Sequence, residues 1–338
     1  MTHPDARPYI WMLCGSFSFS VMAVLAESLT RRPDGAPPLC DWQTVAVFRA
    51  GLVALFAALL AWHAGVKLVW LRPGRLWVRS IAGSCSMVCA FYAFGHLHSE
   101  DVVTLSNTFP IWVAVLSWPM YGHLPGGKTL VAILVGVAGV ALVEQPHIES
   151  GNLGVLAALA AAGFTAVAML GLHRLNDIDP RAVVVHFSAV ATVFCVAAFF
   201  ITPRTEPVGR VLEPVVWLQL LGIGVSATIG QVFLTLAFGR GAPAKVSVVG
   251  LTQIVFVMVM CVFAFDHTVN TLALVGTALV IAPTAWLLMQ SKATSDTTSA
   301  AGTHGEEGPA RPHPEPKRDS DSEPGNRGTP FSATVISK

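Results

Sequence analysis

Polar and apolar positions alternate along this chain in long blocks rather than short stripes. About ten apolar segments, each near 20 residues, occupy approximately 9–28, 43–63, 77–97, 102–122, 127–144, 151–171, 182–202, 215–236, 246–266 and 270–290. A bilayer core about 30 Å thick needs ~20 apolar residues per helical crossing. A helix on the surface of a soluble protein shows one apolar face, whereas these segments are apolar all round. The pattern therefore predicts an all-α integral membrane protein. Short connections carrying Pro73-Gly74, Pro125-Gly126-Gly127, Asp179-Pro180 and Glu213-Pro214 mark the helix ends.

Residues 93–142 align without a gap on 237–286 at a constant offset of 144. Ala93-Phe94-Gly95 meets Ala237-Phe238-Gly239, Thr108 meets Thr252, His123 meets His267, and Leu130-Val131 meets Leu274-Val275. The chain thus divides into residues 1–145, 146–290 and a remainder, with five spans in each repeat. Five is odd, so the second repeat enters the membrane upside down. Inverted repeats of this kind belong to secondary transporters, with the substrate site near the midplane where the halves meet.

Composition narrows the picture. The hydrophobic fraction is 53%, the charged fraction 12% and the mean hydropathy +0.61. A formal net charge of +1 leaves no basic footprint for nucleic acid. Placing the N-terminus in the cytoplasm puts Arg7, Lys67, Arg72, Arg75, Arg79, Lys128, Arg174, Arg181, Arg240, Lys245 and Lys292 inside and Arg31, Arg32, Arg204 and Arg210 outside. That asymmetry predicts both termini in the cytoplasm, in a plasma or bacterial inner membrane. Val24-Leu25-Ala26 resembles a leader-cleavage site, but its apolar run is long and only Arg7 precedes it, so the segment reads as a retained span. Residues 291–338, rich in Ser, Thr, Gly and Pro with Phe331 the only aromatic, read as a disordered cytoplasmic tail. Five of six cysteines fall within spans and no CxxC occurs, so they read as packing residues.

The first span, Gly15-Ser-Phe-Ser-Phe-Ser-Val-Met-Ala-Val-Leu, the pair Phe48-Arg49, and the stretch Phe91-Tyr-Ala-Phe-Gly-His-Leu followed by Asp101-Val-Val-Thr-Leu-Ser-Asn-Thr-Phe-Pro110 together resemble the drug/metabolite transporter superfamily, specifically its EamA-type ten-span carriers. The resemblance covers 9–290. It implies transport of a small organic metabolite by alternating access, with efflux favoured by analogy. The chain departs from the family pattern where Gly-Glu often ends the fourth and ninth spans: here Gly122-His123 and Asp266-His267 stand there.

Ionisable and amide groups within the bilayer are costly and mark candidate sites. Arg49 lies about 9 Å inside its span; it either holds a substrate carboxylate or phosphate or snorkels to the headgroups. His186 is either a proton-coupling group or a satisfied bundle histidine. Ser106, Asn107 and Thr108 precede Pro110, which removes a helix hydrogen bond; their partner stretch offers Gly250, Thr252 and Gln253. Gln231 falls opposite Met87 in the repeat register. Tyr92 and Trp112 are candidates for an aromatic wall. The candidate substrate-binding set is therefore Arg49, Tyr92, Ser106, Asn107, His186, Gln231, Thr252 and Gln253.

No HExxH, GxSxG or Walker motif occurs, so the chain reads as a non-enzyme without cofactor. His96, His98, Glu100 and Asp101 read as a solvated outer loop rather than a metal site. Expected partners are a small-molecule substrate and membrane lipid, with a homo-oligomer left open. The competing reading is a non-transporting membrane protein that docks partners through its tail.

Overall fold

The computed structural model describes residues 6–30, 38–71, 73–94, 97, 99–122, 124–145, 153–202, 208–265 and 270–303. Of the sequence expectations, His96, His98, His123, Asp266 and His267 lie outside the described residues, as does the tail from 304 on. The chain divides into two units, Met1–Asp296 and Thr297–Lys338. Among the described residues there are helices and no strands.

The helices are α1 (Arg7–Thr30), α2 (Trp42–His63), α3 (Gly74–Phe94), α4 (Ser99–Ser106), α5 (Phe109–Tyr121), α6 (Gly127–Glu144), α7 (Leu153–His173), α8 (Pro180–Ile201), α9 (Pro214–Arg240), α10 (Pro243–Gly250), α11 (Thr252–Phe265) and α12 (Thr271–Thr303). Taking α4 with α5 and α10 with α11, ten stretches are long and apolar enough to cross a membrane. Large apolar side chains such as Leu55, Val131, Leu156, Val193, Leu218 and Leu274 stand exposed around the outside. Soluble proteins do not present apolar surface on this scale; here it meets lipid. Helical backbone in α12 continues to Thr303, past residue 290 where the apolar pattern stops.

The helix ends follow from local chemistry. Pro180, Pro214 and Pro243 open their helices, where the missing N–H has no intrahelical acceptor to lose. Asp179 caps α8 by accepting from the Arg181 N–H at 2.8 Å. At the end of α6, Gln145 donates from its amide to Asn270 Oδ1 at 2.9 Å, and the same oxygen accepts the Ala273 N–H at 2.8 Å.

The 144-residue offset read from the sequence carries through to the elements. Adding it to the ends of α4 gives the ends of α10, and adding it to the start of α6 gives the start of α12. Both the fourth and the ninth span are broken into two helices. In each break a threonine hydroxyl caps the carbonyl three residues back: Thr108 Oγ1 donates to Leu105 O at 2.6 Å, and Thr252 Oγ1 to Val249 O at 2.7 Å.

Packing repeats in the same way. The first span packs on the eighth (α1 on α9) and the third on the sixth (α3 on α7), so each half lends the other its first and third helices. The second and seventh spans (α2 and α8) pair directly. Gly230 permits the α1–α9 crossing, since a Cβ there would stand 2.8 Å from the Phe19 ring. On the other side, Ser86 of α3 donates to Ala161 O of α7 at 2.9 Å. Two five-span repeats exchanged across one seam place α2, α3, α8 and α9 around the centre.

Candidate functional site

A narrow crevice opens between those four central helices. Arg49 enters it from α2, Met87 from α3, Phe187, Ser188 and Ala191 from α8, and Gln231 from α9. Met87 and Gln231 are the two residues that the repeat register sets opposite each other, and both face this one space. The crevice has room for little more than a water-sized group.

Its polar groups are poorly served by the protein. Arg49 is half-buried, and its guanidinium reaches two thioether sulfurs, Met22 Sδ at 3.0 Å from Nε and Met87 Sδ at 3.6 Å from Nη1. Sulfur is a weak acceptor, and among the described residues no carboxylate pairs with this cation. Gln231 Oε1 and Ser188 Oγ are buried in the same lining without a hydrogen-bond partner. Buried polar atoms are nearly always satisfied, and two unsatisfied ones beside a weakly partnered cation in one crevice are what a polar ligand would complete.

The other predicted site residues are placed differently. His186 is fully buried one residue before Phe187, with both ring nitrogens engaged: Ser80 Oγ lies 2.7 Å from Nδ1 and Trp70 O 3.1 Å from Nε2. A carbonyl can only accept, so Nε2 carries a proton, and in the neutral ring Nδ1 accepts from the Ser80 hydroxyl. Trp77 closes edge-on over the ring at 4.7 Å. Asn107, in the turn after α4, donates to Val103 O of that helix at 2.8 Å, and Thr252 makes the cap already described. Both serve the backbone breaks. Ser106 Oγ, at the first break, is buried without a partner. The Gln253 carbonyl accepts from Ser20 Oγ of α1 at 2.9 Å. Tyr92 is exposed on α3, as is Trp112 on α5, and neither lines the crevice.

Two residues were missed. Ser188 lies inside an apolar run, two residues after His186, and its position was the only signal. Arg79 is a correction. Counted from sequence among the charges at the cytoplasmic ends of the spans, it is 2% exposed inside α3. Its guanidinium stacks 4.1 Å from the centre of the Phe187 ring. Gly83, one turn further, makes room for this stack, since a Cβ there would collide with Arg79 Nη1 and lie 2.7 Å from Phe187.

Comparison with known proteins agrees with this architecture. The model of the EamA-like transporter family matches twice, over residues 6–144 and 150–289. The chain is 30% identical to the pseudopaline exporter CntI of Pseudomonas aeruginosa over 71% of its own length and 81% of that protein's. It is 22% identical to mouse solute carrier family 35 member G1, over 61% of this chain and 59% of the relative. A crystal structure sharing 17% identity superposes with a TM-score of 0.69, covering 86% of this chain and 99% of its own, which shows the fold. The doubled match, the ten spans and the exchanged helices lead to one conclusion: this chain is a multi-pass membrane transporter belonging to the EamA-like transporter family.

Proposed function

We propose that the chain is a secondary transporter that exports a small organic metabolite carrying a carboxylate or phosphate. The observation that carries this reading is the Arg49 guanidinium, which faces the crevice and, among the described residues, hydrogen-bonds to methionine sulfurs and pairs with no carboxylate. A fixed cation in a low-dielectric lining draws an oxyanion, which it can hold bidentately. Gln231 and Ser188 supply the polar contacts beside it. Since the crevice is closed to anything larger than water, substrate enters only as α2 and α3 separate from α8 and α9. The exchanged packing of the repeats suits that movement, which is alternating access. An exporter among the relatives supports the outward direction.

Orientation follows from charge. With Arg79 removed to the interior, ten positive residues still stand on the proposed inner side against four outside, supporting cytoplasmic termini in a plasma or bacterial inner membrane.

Thermal unfolding of the purified protein against pooled amino acids, organic acids, phosphorylated metabolites, polyamines and cationic drugs tests the reading. A ligand at 100 times its dissociation constant stabilises by ~2.7 kcal/mol. The stabilising pool is expected to be anionic, and its effect to vanish in Arg49→Gln. Stabilisation by cations alone, unchanged in that variant, would refute the assignment.

A further inference from the structure

Arg79 presents an energetic problem that its neighbours do not share. Arg75 donates to Arg174 O at 2.8 Å and pairs with Asp177 at 3.7 Å. Arg174 donates to Met120 O and lies over the Tyr121 ring. Arg79 is more deeply buried than either, yet its Nε and Nη1 have no hydrogen-bond partner, and the face of Phe187 is what covers it. A buried guanidinium stays charged, and burying two of its three nitrogens without an acceptor is costly. A ring face returns only part of that.

The ring that covers Arg79 also lines the crevice, and Arg79 does not. Phe187 therefore stands between the two cations. Arg79 and Met87, which touches Arg49, are eight residues apart on α3, but Arg79 Nη1 reaches up beside Gly83, so the two guanidinium levels differ by about 6 Å along the helix. Arg49 lies seven residues from the start of α2 and Arg79 five from the start of α3, at opposite ends of the crevice helices. The missing Cβ at Gly83 leaves the space in which the ring and the guanidinium meet.

We propose that Arg79 is a second binding position for the oxyanion of the substrate, shut off from the Arg49 crevice by the Phe187 ring and reached when that ring turns aside. The proposal rests on the anion reading of Arg49 and extends it. The substrate's carboxylate or phosphate passes from one guanidinium to the other along the face of α8. Each cation then has its acceptor in one stage of transport.

Phenylglyoxal labelling of arginines in the full chain, read by mass spectrometry, tests this with inorganic phosphate and acetate as probes. Wild-type Arg79 is expected to resist labelling. In Phe187→Ala and in the bulk-conserving Phe187→Leu it becomes reactive, and phosphate slows its labelling about tenfold, the effect of one charge-assisted contact. The position is disproved if Arg79 stays unreactive in both folded variants, or reacts at a rate that neither probe changes. Neutral detergent and phosphatidylglycerol nanodiscs are compared; protection by the lipid alone would assign Arg79 to a headgroup and overturn the proposal. Arg49 is followed in the same samples. Failure of both probes to protect it would sink the crevice reading, separately from the result at Arg79.

Discussion

The two broken spans make the same backbone break and support it in different ways. In the first repeat the break is followed in the first turn of α5 by Pro110, which has no N–H to offer the Ser106 carbonyl, and the local side chains Asn107 and Thr108 take up the neighbouring carbonyls themselves. In the second repeat Ile254 stands in place of proline, and the support comes from another helix. Ser16 of α1 donates to Gly250 O at 3.4 Å, and the Ser20 hydroxyl lies 2.9 Å from Gln253 O. Only the threonine cap is common to both. The difference teaches that proline is not what places the break. The shared register does, and each half satisfies its loose carbonyls with whatever hydroxyl or amide lies within reach.

That contrast can be broken experimentally. Removing both Ser16 and Ser20 as alanines is expected to have the largest effect. It strips the second break of its support from α1 and costs about 1–2 kcal/mol at roughly 0.6 kcal/mol or more per interhelical bond. A lowered unfolding midpoint in detergent would register it; an unchanged midpoint would show that α1 packs there without bonding. Asn107→Ala combined with Thr108→Val should cost less, about 1 kcal/mol. Its signature is local: faster hydrogen exchange confined to 103–111, with α10 and α11 unaffected. Pro110→Ala should change least, within about 0.5 kcal/mol, and leave the break in place. Hydrogen-exchange protection running unbroken from α4 into α5 in that variant would restore proline as the cause.

Much of this arrangement was legible in the sequence because it depends on spacing. The register that set Met87 against Gln231 and Thr108 against Thr252 needed only the order of residues, and the structure puts the first pair in one crevice and gives the second the same bond. What stayed hidden depends on which face of a helix turns inward. Tyr92 and Gln231 look equally plausible in one dimension, yet one is exposed and the other buried. Arg79 follows Arg72 and Arg75 and reads as one more charge at the cytoplasmic end of its span; the cover given by Phe187 from α8 and by Gly171 from α7, far along the chain, takes it out of water. His186 likewise owes its satisfied ring to Ser80 and to the Trp70 carbonyl, neither of which its own span announces.

A rod interrupted off-centre is a pair of unequal levers. In the first repeat the short arm, α4, is eight residues or about 12 Å long, and the long arm, α5, is thirteen residues or about 20 Å. The second repeat has an eight-residue arm, α10, followed by a fourteen-residue arm, α11, but runs the opposite way through the bilayer. One short lever therefore ends at each face of the membrane, with its fulcrum just short of the middle. A single duplicated piece of chain supplies both faces with the same jointed part.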